Sequence, residues 1–454
     1  MSNLVEQAIL EQRQQISPVE KQYSDIDVVF ELHRLLHAES LSEEDDDFLD
    51  QAMRRIDIAN RLFPHYTNDW QKQPGDPIGD PWLCVLALLA YRRVCTQRDA
   101  GANDASLLKP LNFLLKCMDL TDSEHFAESS PLRQEIHSHL DTAPAAGALE
   151  IFRPRAGDRA GAAKPREIDL AVLFYEGPIA RAYLETLKSM GLKPTRIINL
   201  IASRDIATKK PVGRWMPGAM RRPYAASIQQ RKIHYWPDQI RRSSPGLFSA
   251  ISDWVSSNLG FERSTLEGAL QMTPLTTYSD RVDERLVTGL NDPELSESLA
   301  AMPDTAMLFT GGGIVPKSIL DIPSIRLLHV HPGFLPDIRG ADCMLWSVLL
   351  TGAASASSFY LAPGIDTGDI VMAKWLPAPR FAADWANSPT KTLYRAVCSW
   401  YDPWLRASVL RETLAAHDHY FSMPSIEQNE TSGTQFHFMH DKMRQSALKS
   451  LFRQ

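Results

Sequence analysis

The chain has too few cysteines, too widely spread, to be a disulfide-stapled scaffold. Its five, Cys84, Cys95, Cys117, Cys343 and Cys398, lie scattered over 454 residues with no CxxC pair, which indicates neither a disulfide framework nor a zinc ribbon. Long apolar runs are missing as well. Stretches such as Leu83–Tyr91 fall well short of the ~18 to 20 residues that cross a bilayer, which excludes a transmembrane helix. The opening residues MSNLVEQAILEQRQQ mix Glu, Gln and Arg into their apolar positions, without the basic, hydrophobic and small-residue regions of a secretory leader, so a cytoplasmic location is expected. Positive charge is not in excess either: 48 Lys and Arg stand against 55 Asp and Glu, a formal net charge of −7. That balance argues against a globally basic nucleic-acid binder and leaves room only for a local basic patch.

What is present is globular, with 44% hydrophobic and 23% charged residues, and the length suggests two or three domains at about 150 residues each. Residues 1–140 carry apolar positions at three- and four-residue intervals, over Asp25–Leu36, Glu43–Phe63, Asp80–Cys95, Ala105–Cys117 and Pro131–Leu140, which predicts an all-α helical domain. Residues 141–165, DTAPAAGALEIFRPRAGDRAGAAKP, are dominated by Ala, Gly and Pro and read as a linker. Beyond it IDLAVLFYEG has the continuous apolar run of a buried parallel strand. A helix over Ile179–Met190 and a strand over Thr195–Ile201 complete a βαβ unit. Further strands are expected at Thr305–Phe309 and Ser324–Val330, with helices at Gly246–Leu259, Asp292–Ala301, Ala341–Leu350 and Thr390–Leu414.

The chemistry concentrates between His329 and Val371. His329 and His331 end a strand-like run and, two residues apart, project to one side of it. In doubly wound sheets that end is where ligands bind. Pro336, Arg339 and Gly340 turn into an amphipathic helix, and PGIDTG offers Asp366 in a tight loop, 35 residues beyond His331, where a carboxylate can orient an imidazole. Upstream, Gly311-Gly312-Gly313 could cradle an anion with successive backbone N–H groups, yet Pro316 precedes Lys317-Ser318 where a phosphate-binding loop needs glycine. Arg214–Arg242 interleaves Arg221, Arg222, Arg231, Lys232, Arg241 and Arg242 with Tyr224, Tyr235 and Trp236; it reads first as a solvated surface insertion, second as a phosphate- or base-binding patch. His437 and His440 sit three apart with no third ligand in view.

The run HPGFLPDIRGADCMLW followed by GIDTGDIV, with PDTAMLFTGGGIVPKSIL upstream, resembles the folate-dependent formyltransferases, a family that includes methionyl-tRNA, glycinamide ribonucleotide and sugar-nucleotide formyltransferases. The resemblance spans roughly residues 168–376. It implies an α/β fold: a Rossmann-like formyltransferase domain with a mostly parallel sheet over 166–376, preceded by the helical domain and linker and followed by a small C-terminal extension over 377–454. It implies transfer of a formyl group from 10-formyltetrahydrofolate to an amine through a tetrahedral intermediate, with His331 and Asp366 as catalytic residues. It implies also that Gly311, Gly312, Gly313, Ile314 and Val315 contact the folate, and that Arg339 and Gly340 serve the acceptor.

One position departs from the family pattern. The asparagine that stands two residues before the catalytic histidine is His329 here, so an imidazole N–H is expected to replace an amide as donor to the oxyanion. The partner expected is a small-molecule amine, phosphorylated or nucleotide-linked forms included, rather than nucleic acid or membrane. No metal is assigned. The same side chains leave alternatives open: a formyl-donor hydrolase, a metal-dependent hydrolase holding its ion with His329, His331 and Asp366, or a non-catalytic folate-binding scaffold.

Overall fold

The computed structural model describes residues 149–154, 165–311, 313–383, 388–428, 434–436, 438–439 and 441–453. The helices expected over 1–140, most of the 141–165 linker, Gly312, His437 and His440 lie outside the described residues. The chain divides into two compact units: one of Phe152–Pro336, Ser355–Ser432 and Leu451–Gln454, and one that includes Asp337–Ala354 and Gly433–Ser450.

In the first of these, β1 (Arg166–Tyr175), α1 (Pro178–Ser189) and β2 (Leu192–Ala202) form the expected βαβ unit, with β1 and β2 parallel. β1 can be covered on both faces because Leu170–Phe174 is apolar throughout, and those residues are at most 1% exposed. Helix α1 begins at Pro178, whose fixed φ and missing N–H suit a first helical position, and the chain turns out of it at Gly191, in the left-handed region at φ 66°. There follow α2 (Gly218–Ile233), α3 (Tyr235–Ser243), α4 (Pro245–Leu259), α5 (Arg263–Gly268), β3 (Val282–Val287), α6 (Pro293–Ala300), β4 (Thr305–Phe309), α7 (Lys317–Leu320) and β5 (Ile325–His331). The chain then contributes β6 (Ile338–Gly340) and α8 (Cys343–Thr351) to the second unit. It returns as β7 (Ala354–Tyr360), β8 (Ile370–Leu376), β9 (Phe381–Ala382), α9 (Thr390–Ala396) and α10 (Asp402–Ala416).

Seven strands make one sheet in the order β3-β2-β1-β4-β5-β7-β8, parallel from β3 to β5, with β7 antiparallel to β5. The fold class is therefore α/β, Rossmann-like, with a mostly parallel sheet. One face packs Ala171, Leu173, Leu200, Met307 and Phe309 against Leu295 and Leu299 of α6 and Ile319 of α7. Because β1, β4 and β5 run side by side in one direction, their C-terminal ends place Glu176, Thr310 and His331 along one edge.

One expectation needs correcting in detail. The helix foreseen over Thr390–Leu414 is two helices, α9 and α10, joined by a π turn at Val397–Tyr401; Pro403, just inside α10, has no N–H to continue the ladder. The stretch Arg214–Arg242 is mostly helical, as α2 and α3, anchored by Ala225, Gln229, Pro237 and Ile240 while Arg222, Tyr224, Arg231 and Tyr235 stay exposed.

At the tip of β1 a buried ion cluster fixes the start of α1. Glu176 accepts from Arg181 Nε (2.9 Å) and Nη2 (2.6 Å), and pairs with His234 Nε2 at 2.9 Å, while Arg181 Nη1 donates to the Thr273 carbonyl at 2.6 Å. Burial alone would push the Glu176 carboxyl up, but the bonds from His234 and Arg181 outweigh it and hold the group at about 2, against an ordinary 4.5. A lowered folded value stabilises the fold fully above the unfolded value, and that contribution fades as pH falls from about 4.5 towards 2, roughly 3 kcal/mol in all. Glu176→Gln is expected to lower the urea midpoint at pH 7, with the gap to the native chain closing at pH 2 to 3.

The second unit, among the described residues, pairs β6 in parallel with β10 (Thr434–Phe436), Arg339 opposite Gln435 and Gly340 opposite Phe436, and carries α11 (Asp441–Leu451). Gly340 has φ 104°, and a Cβ there would collide with the Phe436 carbonyl, so only glycine fits. The chain returns once more to the first unit through β11 (Phe452–Arg453), which pairs with β9.

Candidate active site

Strand alternation sets the two histidines. On β5, Leu328 and Val330 point into packing while His329 and His331 share the other face, opposite Phe359 and Ser357 of β7. His331 is buried, and its Nδ1 lies 3.3 Å from Asp366 Oδ2. A carboxylate at that distance accepts the Nδ1–H and orients the ring. The turn after His331 is held by Ser357, whose Oγ donates to the Gly333 carbonyl (2.7 Å) and accepts from Leu335 N (2.9 Å).

Asp366 reaches His331 from a strained loop. It has φ 52°, a left-handed value few side chains tolerate and Asp tolerates better than most. Gly368, at φ 111°, lies so close to the Tyr360 carbonyl that any Cβ would collide with it. What holds the loop comes from the segment after α10. Gln428 Nε2 donates to the carbonyls of Asp366 (3.1 Å) and Gly368 (2.6 Å), and Ile426 exchanges backbone bonds with Ile370, both 2.8 Å. Gln428→Leu keeps the volume and removes both donors. Since displacement by about 1 Å can cost 10²-fold, it is expected to lower kcat about 10- to 100-fold with little change in donor KM, readable in steady-state kinetics.

His329 stands in different company. Its ring lies between Phe309 and Phe359, centroids 5.6 and 6.0 Å away, and its Nδ1 donates to the Phe309 carbonyl at 3.1 Å. Burial first, then the nearby Arg406 charge, push its pKa down to about 4; the Phe309 bond and Asp366 oppose them without prevailing. Arg406, its side chain 15% exposed, lies beneath the strand, donating from Nη1 to the Val330 carbonyl (3.0 Å) and from Nε to Asp402 (2.9 Å). Neither Arg406, Asp402 nor Gln428 stood out in the sequence. The one signal was the Asp402/Arg406 spacing of four on a helix otherwise rich in buried aromatics.

The glycine loop sits at the end of β4. Gly311 packs against the Phe309 ring, Gly313 (φ 95°) faces open space, Ile314 is 78% exposed, and Val315 belongs to the core, offering its backbone alone. Arg339 and Gly340 belong to the other unit, on β6. Among the described residues no group of three His, Cys, Asp or Glu side chains is gathered to hold a metal ion; at the alternative site, His329 Nδ1 is turned to a carbonyl and His331 Nδ1 to Asp366. Among the same residues no helix is long and apolar enough to cross a membrane.

Residues 272–383 match the formyl transferase family model, a segment that runs from just before β3 to β9 and takes in both histidines and the Asp366 loop. The methionyl-tRNA formyltransferase of Syntrophus aciditrophicus is 34% identical over 93 residues, covering 20% of this chain and 30% of that protein. That of Desulfotalea psychrophila is 30% identical over 157 residues, covering 29% of this chain and 48% of that protein. The chain thus spans less than half the length of these relatives. Among solved structures, an N-formyltransferase from Helicobacter canadensis, in complex with folinic acid and dTDP-3-aminofucose, aligns with a TM-score of 0.32 at 12% identity, over 63% of this chain and 80% of that one. Phosphoribosylglycinamide formyltransferase from Bacillus halodurans aligns with a TM-score of 0.28 at 13% identity, over 57% and 100%.

Proposed function

From a chain that carries a formyltransferase-family segment over residues 272–383, we propose that the protein transfers a formyl group from 10-formyltetrahydrofolate to an amine. The observation that carries the reading is the His331–Asp366 pair, 3.3 Å apart, at the C-terminal end of β5, the sheet edge where an α/β fold binds its ligands. The alternative of a metal-dependent hydrolase lacks a gathered ligand set among the described residues.

The glycine loop suits the donor. Gly313 leaves main chain open and the exposed Ile314 offers apolar surface, which is what a flat heteroaromatic ring with polar edges requires. The backbone of Gly311, Gly313 and Val315, with the Ile314 side chain, would hold it. When bound, the donor supplies a formyl carbon already activated as an N-formyl group.

The rest is done by the chain's own side chains. Asp366 keeps a proton on His331 Nδ1 and compensates positive charge on the ring. His331 Nε2–H then donates to the formyl oxygen as it takes on negative charge, in a buried site where such a bond is strong. The acceptor is a small amine whose anionic part, phosphate or nucleotide, suits the exposed Arg222, Arg231 and Tyr235 of α2 and α3. The reading places the protein in the cytoplasm. Calorimetry with a stable 10-formyltetrahydrofolate analogue tests it: saturable binding near one per chain is expected, and no binding at millimolar analogue would overturn it.

A further inference from the structure

We propose that His329 is the proton acceptor of the transfer, its Nε2 taking the proton that the attacking amine must lose. The proposal rests on the formyl-transfer reading and reverses the donor role expected for this residue in place of an asparagine.

The Phe309 carbonyl sets the tautomer of His329. A carbonyl can only accept, so at 3.1 Å from His329 Nδ1 it fixes the proton on that nitrogen. In the neutral ring Nε2 then carries a lone pair and no hydrogen. Nε2 has no partner among the described residues and is not one of the buried unpartnered atoms, so it opens to the surface on the same strand face as His331. An amide at this position always has an N–H to offer; this imidazole offers a lone pair instead.

The surroundings keep it so. From α10 the Arg406 guanidinium opposes a second proton, and its partner Asp402 takes up part of that field. Among the described residues, β4 and β7 turn no charged group to it: the Phe309 carbonyl and the Phe309 and Phe359 rings face it. The charges that would favour a proton are Asp366, which is committed to His331, while His331 itself opposes one. The ring is therefore neutral at pH 7, consistent with its value near 4.

The two histidines then divide the labour. The amine nitrogen bonds to the formyl carbon and passes one proton to His329 Nε2. The bond from that carbon to the donor nitrogen breaks, and the departing nitrogen receives one proton from His331 Nε2. Solvent returns the proton from one ring to the other, so the enzyme is unchanged and no further reactant is needed.

The test has two readings on the full-length chain. In 15N NMR of the histidine rings, with His329 assigned by its loss in His329→Asn, Nδ1 is expected to be protonated and Nε2 bare from pH 8 down to about 5, as a neutral buried imidazole requires. A protonated Nε2 at pH 7 would overturn the proposal. In kinetics with 10-formyltetrahydrofolate and hydroxylamine as acceptor, His329→Asn and His329→Ala are both expected to lose about 10²- to 10⁴-fold in kcat at unchanged donor KM. Added imidazole is expected to restore part of the rate to His329→Ala. If His329→Asn stays within about threefold of wild type, the residue is a donor after all, since the amide keeps the N–H and cannot take a proton. Wild type that releases no tetrahydrofolate would defeat the formyl-transfer reading, and the proposed role with it, whatever the ring nitrogens show.

Discussion

His331→Ala is expected to lower formyl transfer about 10³-fold, some 4 kcal/mol of transition-state stabilisation. The size follows from where the ring sits. It is buried at the end of β5, tethered through Nδ1 to Asp366 at 3.3 Å, so its Nε2 is held in place before any charge develops and loses nothing to reorganisation. In the proposed function the donor is held by the loop after β4, so binding should survive while kcat falls. Asp366→Asn separates the two contributions of the pair. An amide preserves the loop's φ of 52° but brings no negative charge to the imidazole, so the loss should be smaller than for His331→Ala. Single-turnover measurements of labelled formyl leaving the donor check both.

Arg406→Met should be the most destabilising single change near the site, by about 3 to 5 kcal/mol. Asp402 is buried and one of its oxygens, Oδ1, has no partner among the described residues; the other depends on Arg406 Nε at 2.9 Å. Burial already raises the Asp402 carboxyl, with Arg406 pulling the other way. Without the guanidinium the group must take up a proton or stay charged in an apolar setting, and the Val330 carbonyl loses its donor too. An acid whose folded value is raised stabilises the fold at low pH and loses that contribution as pH climbs, so the variant should be relatively more stable at pH 4 than at pH 7. Adding Asp402→Leu should recover most of the loss, because a buried pair replaced whole by apolar groups is often neutral. Urea midpoints of the single and double variants decide it.

How much of this was legible in the sequence depended on side-chain chemistry. β1 and β4 were readable because parallel central strands are apolar on both faces, and Thr305–Phe309 came out with the bounds expected. β7 was not. Its sequence ASASSFY is built of small residues, all buried, and lacks the β-branched run that marks a strand. β3 reads VDERLV because an edge strand tolerates charge. At the site, the motif put His331 and Asp366 in one sentence of sequence, and the structure supplies the contact. Gln428 and Arg406 act across 62 and 76 positions of chain, on Asp366 and Val330, and no local pattern announces a bond of that range. His329 was noticed for its identity, but its tautomer is set by a carbonyl on the neighbouring strand, which composition and spacing do not contain.

The most direct measurement is a single turnover of the full-length chain with 10-[14C]formyltetrahydrofolate and an amine acceptor such as hydroxylamine. The account predicts that label moves to the amine in wild type and that the rate collapses in His331→Ala and Asp366→Ala while donor binding persists. Label that stays on the folate with wild-type protein, or a rate indifferent to both substitutions, would contradict it.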